Sequence, residues 1–286
     1  MVVGLILPST SDFEITIDRT NWQFGKKNLN ILMLGVVYQG AAIPVMWVLL
    51  NKKGNSNTDE RINLMKRFIG VFGKDCIKVV LADREFAGKE WFSYLKDEQI
   101  QFLIRIKENT KVSNTRVQGS NVKKLFSNLG VGVQQRLEGT RNIWGLKLYL
   151  TALRLETGEL LVVASAHDFK EAIELYGKRW EIESLFQSLK GRGFNFEDTH
   201  ITEIERINRI VAVLSLAFVW AIKVGEWCND NVKKLKIKKH GRLERSLFRY
   251  GLDVLNQAIL ETGFQYLWNS FLKILRSKQY KLAEII

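Results

Sequence analysis

Apolar and polar residues alternate with period two along Phe13-Glu14-Ile15-Thr16-Ile17-Asp18, the pattern of a half-buried strand with Asp18 on its polar face. Two more strand-like runs follow near residues 28–38 and 41–50. The stretch Gly54-Asn55-Ser56-Asn57-Thr58 then reads as a loop, and Asn57 and Glu60 have the spacing of an N-cap and its reciprocal partner. A helix is expected from there to about residue 71. Residues 77–82 are apolar at almost every position, which predicts a largely buried strand with Asp83 at its end. A helix near 88–97 and a strand at 102–106 complete this half of the chain.

The second half opens on strand-like runs at 143–155 and 160–166 around the turn Glu156-Thr157-Gly158-Glu159, so residues 107–166 read as a β-rich insert. Asp168, with Glu171 three residues on, is expected to cap the helix that follows. In that helix Leu175, Ile182, Leu185, Phe186 and Leu189 form an apolar stripe. Beside the stripe, Tyr176, Arg179, Glu183 and Lys190 are spaced 3, 4 and 7 residues apart. On a regular helix these four project from a strip roughly 60° wide at the border of the core. An acid, two cations and a phenol in one line suit a phosphate backbone and a metal ion together, although Arg179 and Glu183 also satisfy the ordinary i,i+4 pairing found on any helix. Residues 203–227 and 243–275 are expected to be helical and to cover the sheet.

Charge narrows the partner. The 286 residues carry 43 Lys+Arg against 30 Asp+Glu, a formal net charge of +13 and a pI of about 9.7. That balance favours a polyanion, with nucleic acid the commonest, while composition leaves a membrane-surface or ribosomal protein open. Lys233, Lys234, Lys236, Lys238, Lys239, Arg242, Arg245 and Arg249 concentrate charge in one stretch, either a phosphate track or a solvated loop. Cys76 and Cys228 stand far apart and the only histidines are His167, His200 and His240, which disfavours a zinc site or a disulfide framework. A reducing, cytoplasmic location is expected. Met1 to Pro8 is apolar without a basic leader, and the apolar run 210–222 is too short to span a bilayer, so no membrane partner is expected. Gly-rich phosphate loops are absent, leaving no case for a nucleotide cofactor.

A strand-borne Asp18, a strand-end Asp83 and a helix-borne Glu183 are the parts of a three-carboxylate metal site, though an Asp at a strand end is more often a turn residue. With these residues in view, the chain resembles the catalytic domain of a DDE transposase of the IS4 insertion-sequence family. The family's helix signature, Tyr-x2-Arg-x3-Glu-x6-Lys, is met by Tyr176, Arg179, Glu183 and Lys190. The blocks Asp18-Arg19-Thr20-Asn21-Trp22 and Asp83-Arg84-Glu85-Phe86 resemble its first and second Asp motifs, in order. Three strands, helix, strand, helix, strand is the ribonuclease H-like order, an α/β fold that sets the first and fourth strands side by side and so brings Asp18 next to Asp83. The expected organisation is residues 1–106 as the first part of a mixed sheet flanked by helices, 107–166 as the insert, and 167–286 as the catalytic helix and C-terminal helices.

The resemblance implies Asp18 bridging two Mg²⁺ ions, with Mn²⁺ as a substitute, and Asp83 and Glu183 each holding one. It implies double-stranded DNA as partner, transposon ends and target alike, a homodimer in a synaptic complex, nicking to expose a 3′-OH, and strand transfer through a hairpin. Arg179 and Lys190 are expected to clamp phosphates and Tyr176 to donate its hydroxyl to one. Trp180 either stacks on an extruded base or packs under the insert, and Trp144 is a second stacking candidate. Arg19 and Arg84 either contact DNA or pair with neighbouring acids. Only 17 residues precede Asp18, so the chain is expected to lack the family's N-terminal DNA-binding region. A non-catalytic DNA-binding remnant and a ribonuclease H-like nuclease or resolvase are the rival readings.

Overall fold

Alternating and continuous apolar runs build one nine-stranded sheet at the centre of the computed structural model, which describes residues 12–24, 27–113, 120–239, 241, 243–261 and 265–276. Met1 to Pro8, His240 and Arg242 lie outside the described residues. Strands β1 (Phe13–Phe24), β2 (Lys27–Tyr38) and β3 (Ala41–Leu49) form an antiparallel meander. Helix α1 (Thr58–Phe72) carries the chain across to β4 (Ile77–Ala82), which pairs parallel with β1. Helix α2 (Lys89–Asp97) leads to β5 (Phe102–Ile106), parallel to β4. The order β3-β2-β1-β4-β5 is that of a ribonuclease H-like sheet, as the element sequence predicts.

Helix α1 begins where its capping box does. The Asn57 side chain accepts from the Glu60 backbone at 2.9 Å, and Glu60 returns the bond to the Asn57 N–H at 2.8 Å. On β4, Val80 and Ala82 face a core formed with α1 and α2, and Val79 and Leu81 face the opposite side. Both faces are covered from Val79 onward, so the run is apolar except at the exposed Lys78.

Of the described strands of 107–166, only β6 (Lys111–Val112) and β7 (Ser120–Asn121) stand apart from this sheet, as a two-stranded pair of their own. After these, α3 (Val122–Leu125), β8 (Gln134–Arg136) and β9 (Arg141–Ile143), strand β11 (Leu160–Ser165) pairs antiparallel with β5. Strand β10 (Leu146–Arg154) joins β11, continuing the sheet to β8.

Two local expectations are corrected beyond it. Asp168 does not cap a helix, because its carboxylate is bound by Arg136 of β8, and α4 (Ala172–Gly177) starts after Glu171 without a side-chain cap. The helix that carries Tyr176 to Leu189 is also not one continuous α-helix: α4 passes through a 3₁₀ turn at Lys178–Trp180 into α5 (Glu181–Leu189). The turn is wound at three residues per turn, so it rotates the positions after it and lets Arg179 face inward while Trp180 faces solvent.

Helix α6 (Ile204–Asn231) is 28 residues long, outrunning the apolar stretch at its centre, and by length and composition it is apolar enough to cross a membrane. Its Ile207, Val211, Phe218, Val219 and Ile222 are buried in the core that covers the β1–β3 side of the sheet. The stretch expected to be helical at its end divides into α7 (Leu247–Leu260) and α8 (Gln265–Arg276).

Glu181 ties α5 to the β2–β3 turn by accepting the Tyr38 N–H at 3.2 Å. Burial pushes its carboxyl up to about 7, against the pull of the Tyr38 N–H and Lys178. A raised acid favours the folded state below its unfolded value, and that contribution is lost as pH rises from 4.5 to about 7. Glu181→Gln keeps the acceptor and removes the titration. Thermal unfolding of the variant is therefore expected to fall less between pH 5 and 8 than that of the wild type; parallel pH profiles would refute this.

Candidate active site

Parallel pairing sets the first two acids together. In the β1/β4 register Ile17 lies opposite Ala82, so Asp18 and Asp83 are each the next residue along, at the same end of adjoining strands. Asp83 precedes the 3₁₀ turn Arg84–Phe86 but makes no side-chain capping bond, which leaves its carboxylate available. The hydroxyl of Tyr176 reaches it at 3.5 Å. Glu183 enters from the first turn of α5, where the helix dipole favours an acid.

Arg179 joins the third acid to the first. Its guanidinium lies 2.9 Å from Glu183 Oε1 and 3.6 Å from Asp18 Oδ2, and the residue is only 5% exposed. The Tyr176 and Trp180 rings flank it at 5.8 and 5.2 Å. Burial pulls its pKa down, but Tyr176, Asp83, Glu183 and Asp18 together outweigh that and raise it, so the cation is held firmly. The 3₁₀ turn is also latched to β1 by Lys178, which pairs with Glu14 at 2.7 Å.

Asp18 accepts the Arg19 backbone N–H at 2.7 Å. Burial raises its carboxyl to about 7, with Glu85 and Asp83 adding to the rise and the Arg19 N–H and Arg179 opposing it. The guanidinium does not win because it is shared with Glu183 and stands farther from Asp18.

The structure chooses for Arg19 and gives each of the other expected residues its surroundings. Arg19 grips Glu85 with two bonds of 3.3 and 3.2 Å and also reaches Asn30 and Asn55. Arg84 is more exposed and lies 4.0 Å from Glu159. Tyr176 is buried with its hydroxyl on Asp83, and Arg179 is buried between Asp18 and Glu183. Lys190 lies just past the end of α5 in extended backbone, pairs with Glu197 at 3.3 Å, and bonds the Asn21 carbonyl on β1 at 3.2 Å. Trp180 is 60% exposed, which removes the reading that it packs under the insert. Trp144 is partly buried and packs against the core instead, edge-on to Phe92 with ring centroids 5.6 Å apart. In the basic stretch Lys233, Lys234, Lys236, Lys238 and Lys239 are exposed, whereas Arg245 and Arg249 both pair with Asp253.

Sequence reasoning missed Glu85, Asn30 and Arg61. Arg61 is buried, bonds Ser56 and donates to the Glu85 carbonyl at 3.1 Å, so Arg19 and Arg61 together fix the segment after Asp83 against the β3–α1 loop. The signal for Glu85 was its place two residues beyond Asp83; nothing local marked Asn30.

All three acids offer hard oxygen donors of the kind that divalent Mg²⁺ takes. As they stand, a guanidinium already fills the place between two of them, and among the described residues no group of three acids is close enough to hold an ion.

A model of the transposase DDE domain matches residues 12–220, from the start of β1 into α6. The chain belongs to the transposase DDE domain family. The resemblance carried by the three motifs is borne out at this level. No curated protein matches the chain. Among solved structures, the piggyBac transposase in a synaptic complex with hairpin DNA is 13% identical with a TM-score of 0.46, over 97% of this chain and 60% of that one. The catalytic core of the human T-lymphotropic virus 2 (HTLV-2) integrase, in complex with magnesium, is 16% identical with a TM-score of 0.26, over 33% of this chain and 59% of that one. This chain thus spans 60% of the piggyBac chain it resembles.

Proposed function

We propose that the chain is a metal-dependent DNA transposase that cleaves phosphodiesters at transposon ends and joins the freed 3′-OH to target DNA. The observation that carries this reading is the meeting of Asp18 and Asp83 at one end of the parallel β1/β4 pair, with Arg179 linking Asp18 to Glu183. Family membership supplies the reaction class.

Asp18, Asp83 and Glu183 are the residues that would hold the metal, which we take to be two Mg²⁺ ions, replaceable by Mn²⁺. When bound, such ions activate the attacking oxygen and neutralise charge on the departing one. The chain's own residues prepare that chemistry. Glu85, gripped by Arg19, steadies the segment that carries Asp83. Tyr176 orients the Asp83 carboxylate, and Lys190, on the Asn21 side of β1, offers a cation to the DNA backbone. The partner is double-stranded DNA, drawn by the net charge of +13, and two copies of the chain bring two ends together.

The finer step is a hairpin intermediate. It requires a base to leave the stack at a cost of a few kcal/mol, which an aromatic platform offsets. Trp180, exposed beside Arg179, supplies that platform. A terminal 2-aminopurine should be quenched on binding to the wild type and not to Trp180→Ala; equal quenching by both removes the role.

Incubation of the protein with Mn²⁺ and a pre-nicked transposon end tests the whole reading. Strand joining supports it. Cleavage without joining points to a nuclease, and binding alone to a non-catalytic remnant.

A further inference from the structure

Arg179 uses its guanidinium where an enzyme of this class would need room. Two of its nitrogens serve Glu183 and Asp18, and its Nε is buried with no hydrogen-bond partner. A buried guanidinium with an unmet donor is costly, so these contacts are not the full complement the side chain can make. The position itself is informative: the cation stands between one acid from β1 and one from α5, within the field of Asp83.

We infer that Arg179 is a resident cation that occupies the Asp18–Glu183 gap until a divalent ion displaces it. This rests on the reading of Asp18, Asp83 and Glu183 as the metal-holding acids. The device has a plain electrostatic purpose. Two partly buried carboxylates without a counter-charge repel each other and destabilise the fold, and Arg179 neutralises them in the absence of metal. Asp18 and Glu183 would hold a divalent ion in its place, because such an ion carries twice the charge. The guanidinium then swings out past Trp180, which already flanks it, and its forked donors become available to a phosphate oxygen. Metal loading and presentation of a cation to DNA are thereby one movement, and DNA and metal each favour the same open state.

The test is Mn²⁺ binding by calorimetry and by the electron paramagnetic resonance of the free ion, on the full chain without DNA at pH 8. Wild type, Arg179→Met and Arg179→Lys are compared, with circular dichroism to confirm folding. Competition by a closed site weakens apparent affinity by the fraction of time the site is open, so Arg179→Met is expected to bind Mn²⁺ about tenfold more tightly than wild type. Arg179→Lys, whose single ammonium cannot serve both acids at once, should lie between them and remains informative if the Met variant does not fold. In thermal unfolding, Mn²⁺ should raise the melting temperature of both variants more than that of the wild type. Wild-type binding with no gain in either variant overturns the resident-cation inference and leaves the metal-site reading intact. No Mn²⁺ binding by any of the three overturns both.

Discussion

Replacing Asp18 or Asp83 by Asn, or Glu183 by Gln, is expected to reduce metal-dependent cleavage and joining on the order of 10³-fold or more, because groups that act as one unit fail together. DNA binding should change little, since removing a negative charge from a chain of net charge +13 cannot weaken phosphate attraction. Loss of fold is separable from loss of chemistry. The Asp18 carboxyl is pushed up to about 7 by burial, so its ionised form disfavours the native state at pH 8. Asp18→Asn should therefore be no less stable than the wild type at that pH while losing activity. Cleavage by Asp83→Asn at a rate near that of the wild type would remove Asp83 from the catalytic set.

The largest structural effect is expected at the crossing of α6 and α7. A Cβ on Gly251 would lie 1.7 Å from the Ala221 carbonyl oxygen, and one on Gly225 would lie 2.0 Å from that of Leu247. Both collisions are with backbone, which cannot move aside as a side chain can. Gly251→Ala should thus destabilise by about 3 kcal/mol or more, roughly 6–12 °C in melting temperature for a chain of this size. A control at Gly70, whose Cβ would meet nothing within 4 Å, should be neutral or slightly stabilising as Ala. If Gly251→Ala melts with the wild type, the two helices do not cross as closely as described. Loss of α7 would also expose Phe248 and Leu255, part of the core on which α5 and Glu183 rest.

The asymmetry between these experiments reflects what could be seen before the fold. Neither Gly225 nor Gly251 has a neighbour in sequence that marks it, because the partner of each lies on the other helix. Helix α1 was legible to its first residue, since a capping box is a contact across three positions. The α4–α5 strip was only partly so. Regular 3.6-residue spacing put Tyr176, Arg179, Glu183 and Lys190 in a line, but the chain tightens at Lys178–Trp180 and ends its helix at Leu189. Attraction from acids on other elements sets where Arg179 points, and periodicity carries no information about them.

What the sequence by itself determined was therefore a set of features that depend on near neighbours: the strands of β1 to β5 from their apolar patterns, the cap of α1, the net charge, and three motifs in order. Asp18 and Asp83 could be placed side by side because the ribonuclease H-like order sets the first and fourth strands next to each other, and the structure pairs them in parallel. Only the tertiary structure decided the contents of the space between them. It buried Tyr176 against Asp83, set Arg179 between Asp18 and Glu183, spent Arg19 on Glu85, drew Asp168 to Arg136, and joined β10 and β11 to the central sheet. Apart from the Arg179–Glu183 contact, which the i,i+4 spacing already offered, each of these outcomes is a choice among partners distant in the chain, made by burial and charge once the sheet has formed, and a local pattern holds no record of that choice.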